Sequence, residues 1–269
     1  MSFLLAGPTQ ADPPKRIVSF NLCADQLVVA LADPEQIAGL SPYATDPALS
    51  VVAEQAAHFP QVQWQAEAVI PLKPDLVITS RADRVVTKQM LTALGVPVTE
   101  IDLVADIDSA REQVMEIAHQ VGHPERGEAL VEAIDSARER LVTAPHPRGE
   151  TALLVGNGGY TAGPASLAAA LIHAAGLRPP AGAPPGYGGF VPLENIIRLR
   201  PDYLFVASNI EEPIDQGSIF FTHPAMRLLY PRWKRIVLPA RYTLCGGPAL
   251  AEALDYMTGV VSRLSSRNR

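Results

Sequence analysis

The stretches EAVIPLKPD (residues 67–75) and ENIIRLRPD (residues 194–202) are two versions of one phrase, each running straight into an apolar segment. Glu67, Ile70, Leu72, Pro74 and Asp75 recur as Glu194, Ile197, Leu199, Pro201 and Asp202, with Lys73 answered by Arg200, at a constant offset of 127 residues. Each copy predicts a short helix opened by a glutamate and halted before a proline, then a turn and a buried strand. The strands are Leu76 to Ser80 and Leu204 to Ser208. Proline stops the helix because it lacks an N–H and clashes with a preceding helical turn. Two copies, separated by almost half the chain, predict two similar lobes; a solenoid would carry three or more repeats.

Further strand-like runs are Arg16–Phe20, Gln36–Leu40, Val96–Ile101, Thr151–Val155, Tyr203–Ala207 and Arg235–Leu238. Helical patterns lie between and beyond them, at Ala24–Leu31, Val85–Leu94, Ile107–Gln120, Ser166–Ala175 and Ala249–Leu264. Strands alternating with helices predict parallel βαβ units, and short Val/Ile-rich runs fit strands covered on both faces. One segment breaks the alternation. Pro124–Val142 carries an apolar stripe at helical spacing, follows another helix directly and is closed off by Pro145 and Pro147. It reads as a connector helix roughly 28 Å long. The expected organisation is a leader remnant or disordered terminus at 1–14, an N-terminal lobe at 15–120, the connector at 121–148 and a C-terminal lobe at 149–269. The fold class is α/β, with two Rossmann-like lobes of parallel sheet.

Composition narrows the function. A net charge of −6 and no dense Lys/Arg run speak against nucleic acid or an anionic membrane surface as partner. No apolar stretch reaches the length of a membrane-spanning helix. The opening MSFLLAGPTQAD has a short apolar piece and a small-x-small pattern at Thr9-Gln10-Ala11, without the basic region of a full export signal. It reads as the tail of a truncated signal peptide or as a disordered terminus. Glycine-rich GNGGYTAG (156–163) follows a strand and precedes a helix, but fits neither phosphate-binding spacing, so it reads as a flexible loop. His119 and His123 stand four apart, but Gly122 and Pro124 end the helix between them, which predicts solvated histidines and no metal site. No catalytic constellation is legible, and Asp75 and Asp202 read as turn residues at strand entries.

In order and spacing, RIVSFNLCADQLVVAL, IAGLSPYATDP, EAVIPLKPDLVI, LGVPV and ENIIRLRPDYLFV resemble the periplasmic substrate-binding proteins of ABC importers, in the helical-backbone class. Within that class the similarity is to vitamin B12, ferric-siderophore and haem binders, and it covers residue 15 to about 264. The resemblance implies a non-enzymatic, monomeric periplasmic protein without an intrinsic cofactor. It would carry a metal chelate, with a cobalamin or other corrinoid first and a ferric siderophore or haem second, to an ABC permease dimer in the inner membrane. It also implies that Glu67 and Glu194 dock on the permease, one glutamate per subunit; alone, each would merely favour the helix dipole.

The ligand is expected in the cleft between lobes, at the carboxyl ends of the strands. The candidates are Asn21, Cys23, Tyr43, Trp64, Tyr160, Tyr187, Phe190, Arg241, Tyr242 and Cys245, among which flat aromatics suit a planar chelate. Tyr43, Tyr160 and, across a gap, Trp64 match aromatic positions of the vitamin B12 binders. Ser80 stands where those proteins have tryptophan, and Arg241, Tyr242 and Cys245 replace their last-loop charges. Cys23 and Cys245 admit three readings: unrelated cleft-lining thiols, soft ligands for the chelate, and last a cross-lobe disulfide, which would lock the lobes. Rival functions are an α/β oxidoreductase, a nitrogenase-like cofactor protein and a ligand-sensing domain. The first two lack their phosphate motif or cysteine ligands here, and the third would dispense with the paired glutamates.

Overall fold

A computed structural model of the chain describes residues 12–147, 149–207 and 219–267. The leader pattern at Thr9-Gln10-Ala11 and the predicted strand end at Ser208 lie outside the described residues. In the first half β1 (Ile17–Ser19), α1 (Leu22–Leu31), β2 (Ile37–Gly39), α2 (Ala53–Ala56), α3 (Ala66–Val69), β3 (Leu76–Ser80), α4 (Val85–Ala93) and β4 (Val98–Ile101) precede two long helices. These are α5 (Ile107–Val121) and α6 (Pro124–Thr143). The second half runs β5 (Ala152–Leu154), β6 (Tyr160–Ala162), α7 (Leu167–Ala174), β7 (Gly188–Phe190), α8 (Leu193–Leu199) and β8 (Tyr203–Val206). It ends in α9 (Ile219–Thr222), α10 (Pro224–Leu229), β9 (Arg235–Val237) and α11 (Pro248–Arg267).

Two parallel sheets result, ordered β2-β1-β3-β4 and β5-β8-β9. All seven strands expected from the sequence form, each within two residues of its expected ends. A small antiparallel ribbon, β6-β7, was not expected. GNGGYTAG is therefore not a flexible loop: its second half is β6, paired through Tyr160↔Phe190, Thr161↔Gly189 and Ala162↔Gly188. Gly188, at φ +117°, lets the strands close, since a Cβ there would run into the Thr161 carbonyl.

The 127-residue repeat is structural down to its backbone angles. Lys73 and Arg200 both sit in the left-handed region, at φ +49° and +46°, and cap their helices. Asp75 accepts the N–H groups of Lys15 and Arg16, both at 2.8 Å. Asp202 likewise accepts the N–H and hydroxyl of Thr151, at 2.8 and 2.9 Å. Each aspartate thus staples the entrance of the first strand in its own sheet, a larger role than that of a turn residue. The copies differ where Pro71 replaces Arg198. Proline removes one helical N–H, and the first copy breaks into α3 plus a 3-10 turn (Ile70–Leu72) where α8 continues.

Helix α6 packs on α5 and α11, and one apolar core runs through both halves. Leu27, Ile117, Ile134, Leu171, Phe205 and Leu254 all belong to it. His123 is not solvated: its Nε2 lies 3.0 Å from Gln36 Oε1 and 3.3 Å from Asp33, at the start of α6.

Candidate ligand-binding site

The carboxyl ends of the two sheets meet at a seam, closed by contacts that the sequence places far apart. Cys23, just after β1, is disulfide-bonded to Cys245, beyond β9, with Cα atoms 5.1 Å apart across a separation of 222 residues. The reading ranked last is the one found, and neither sulfur is a free thiol or a soft ligand. The objection that a bridge would lock the lobes fails because the shared core already joins them beside it. Next to the bridge Gly246 and Gly247 wedge against the first half. A Cβ on Gly246 would come within 2.9 Å of Ala110, and one on Gly247 (φ +61°) within 2.9 Å of Leu27. Arg241 Nη1 adds a contact to the Pro47 carbonyl at 3.4 Å.

Two aromatic groups border this seam. On the N-terminal side Tyr43 and Trp64 lie with ring centroids 5.4 Å apart, and Arg84 covers the Trp64 ring at 4.2 Å. Arg84 was not expected from the sequence. It occupies the left-handed region, φ +49°, in the turn between β3 and α4, where a cation over an indole is stabilised by the ring quadrupole. Lys88 holds that turn. Its Nζ donates to the carbonyls of Ser80 (3.2 Å) and Arg81 (2.6 Å) and pairs with Glu100 at 2.5 Å. Beside it Arg81 grips Asp102 through two bonds and holds that carboxyl below the usual range.

On the C-terminal side the β6-β7 ribbon presents Tyr160 and Phe190 edge to face, 5.7 Å apart. The Tyr160 hydroxyl donates to the Tyr187 carbonyl at 3.2 Å. Tyr43, Tyr160, Tyr187 and Phe190 are exposed, Phe190 by 77%. Each of these rings keeps much of its surface open, beyond the ring contacts that Tyr43, Tyr160 and Phe190 make.

Other candidates take structural parts. Asn21 caps α1, its side-chain oxygen accepting the N–H groups of Cys23 and Ala24. Tyr242 is buried between Arg241 and Tyr256, below the seam. Glu67 and Glu194 are exposed in the first turns of α3 and α8, and neither has a hydrogen-bond or ion-pair partner among the described residues. A cavity of about 530 Å³ lies between α7, β5 and residues 179–184, but no aromatic candidate lines it. Among the described residues no group of His, Cys, Asp or Glu is arranged to hold a metal ion. No helix of the described residues is long and apolar enough to cross a membrane.

Two α/β lobes sharing a core, with exposed aromatics along the seam of their strand ends, define a bilobal binding protein. The family model described as periplasmic binding protein matches residues 17–221, and the chain belongs to that family. Among relatives, a cobalamin-binding protein of Halobacterium salinarum is 30% identical over 168 residues, 61% of this chain. The chain spans about half that relative's length, the match covering 45% of it. Among solved structures, a periplasmic heme binding protein from Pseudomonas aeruginosa superposes with TM-score 0.74 at 21% identity, covering 93% of each chain. The periplasmic vitamin B12 binding protein of Vibrio cholerae gives TM-score 0.71 at 15% identity, covering 95% of this chain and 99% of that one.

Proposed function

We propose that this protein is a non-enzymatic periplasmic solute-binding protein that takes up a metal chelate at the lobe seam and hands it to an ABC permease dimer. The observation that carries this reading is the pair of aromatic groups, exposed Tyr43 with half-buried Trp64 under Arg84 on one lobe and exposed Tyr160, Phe190 and Tyr187 on the other. Flat rings contributed by each lobe suit a ligand that is itself broad and flat, and they bind it with little loss of side-chain freedom. The names of the relatives support a tetrapyrrole-like chelate: a cobalamin or other corrinoid first, haem or a ferric siderophore second. Glu67 and Glu194, exposed and repeat-related, supply one carboxylate per lobe to arginines on a permease of matching pseudo-symmetry. The protein acts as a monomer, with lobes at 15–120 and 149–269 joined through 121–148.

The test is direct titration of purified protein with cyanocobalamin, dicyanocobinamide, haemin and a ferric hydroxamate, followed by absorbance and by tryptophan quenching. One of the four should bind with micromolar or tighter affinity, and Tyr43→Ala and Phe190→Ala should each weaken it about tenfold or more, a hot-spot-sized effect. Failure of all four to bind would refute the chelate reading.

A further inference from the structure

Asp25 is a fully buried carboxyl group in the first turn of α1, and nothing in the ligand-binding reading uses it. Ser41 gives it two bonds, donating its N–H at 3.1 Å and its hydroxyl at 2.5 Å, and the Ser19 hydroxyl of β1 also acts on it. The Ser41 oxygen in turn accepts the N–H of Tyr43 at 3.3 Å. Ser41 opens the loop that carries both Tyr43, against Trp64, and Pro47, whose carbonyl receives Arg241 from the other lobe. The carboxylate therefore stands at the root of the segment that bears one aromatic wall and one cross-lobe contact.

The bonds are chemically directional. An ionised carboxylate accepts from both the N–H and the O–H of Ser41, leaving the serine lone pairs to Tyr43. A protonated Asp25 has lost one acceptor oxygen and gained a donor, so the Ser41 hydroxyl must turn away to a new acceptor. Its oxygen then divides its two lone pairs between the acid proton and the Tyr43 N–H, which loosens its hold on Tyr43. We infer that Asp25 is a positioning residue for the ligand-facing loop: ionised, it holds Ser41 and through it Tyr43 against Trp64, and protonation loosens that arrangement. The inference rests on the proposed function only in taking Tyr43 as ligand-facing.

Burial raises the Asp25 pKa to about 6, partly offset by the hydrogen bonds of Ser19 and Ser41, so the change falls within a physiological range. No ionised neighbour contributes to that shift. The elements packed on α1 carry charged groups such as Glu54 on α2, Arg111 on α5 and Glu252 on α11, none of them buried. On α6, Arg126 bonds the far end of α1, at the Leu31 carbonyl. β1 and β3 bring no titratable side chain.

Trp64 reports the state of the loop without any ligand, so this test and the titration above fail independently. Trp64 and Trp233 are the two tryptophans of the chain. In a Trp233→Phe background, Trp64 emission and its quenching by iodide are followed from pH 8 to pH 5. A transition with its midpoint near pH 6 is expected. Adding Asp25→Asn should remove the transition and fix the signal at its low-pH value. Adding Ser41→Ala should also remove it, by cutting the link while Asp25 still titrates, and this variant decides the matter if circular dichroism shows Asp25→Asn to be unfolded. A flat parent curve, or an unchanged transition in either variant, would overturn the inference.

Discussion

The two lobes share a grammar on one side and differ on the other. Away from the seam they match position for position: an exposed glutamate in a helix's first turn, a basic residue in the left-handed region, and an aspartate stapling the first strand. At the seam the N-terminal lobe builds its aromatic wall from loops, a cation and a buried carboxylate, whereas the C-terminal lobe uses a glycine-rich antiparallel ribbon. On the proposed function, the equivalent parts would serve a partner that is itself doubled, and the unlike parts a single asymmetric ligand. That division can be broken or sharpened experimentally.

The largest effect should come from the matched side. Glu67→Lys or Glu194→Lys should each abolish uptake into vesicles bearing the cognate permease, while ligand affinity stays within about twofold, because an exposed charge adds little to the fold. Intact transport in both variants would remove the docking role.

At the seam, the Cys23→Ser/Cys245→Ser double variant should lose about 3–5 kcal/mol of stability in guanidinium unfolding, as expected for a long closed loop. A loss below about 1 kcal/mol would mean that the shared core alone fixes the lobes.

The buried carboxylate makes a third difference, since among the described residues no Asp or Glu of the C-terminal lobe is buried. A folded-state pKa of about 6, raised from 3.8, means that the native protein holds the proton more tightly than the unfolded chain. Stability is therefore greatest below pH 4 on this account and falls as pH rises through the folded pKa, by roughly 2–3 kcal/mol up to pH 7. Denaturation midpoints at stepped pH should show this fall in the parent and lack it in Asp25→Asn.

Smaller effects test the equivalence of the staples. Asp75→Ala and Asp202→Ala should each cost about 1–2 kcal/mol, water replacing part of what is lost. Unequal costs would show that the repeat is similar in form only. Smallest of all, Lys73→Gly and Arg200→Gly should each stabilise by less than about 1 kcal/mol, as relief of the left-handed backbone slightly exceeds glycine's entropic cost.

Reading the chain reached some of these features and missed others for definite reasons. Asp75 and Asp202 were legible as a repeated pair, but their partners lie 59 and 51 residues away, so only a turn was inferred. Arg84 carries no motif; what marks it is a tryptophan twenty residues earlier that folding brings beneath it. The β6-β7 ribbon escaped because glycine spacing reads as looseness in a chain, whereas here it permits close pairing of backbones.

By itself the sequence determined the two parallel-sheet lobes, the seven strands and the long central helix. All of these rest on periodicity and punctuation, which act over a few residues. The tertiary structure alone decided that Cys23 reaches Cys245, that Asp25 is sealed under Ser41, and that Tyr242 lies buried while Phe190 stands open. Those outcomes depend on where distant backbones cross and which groups are left dry, and no local pattern carries that information.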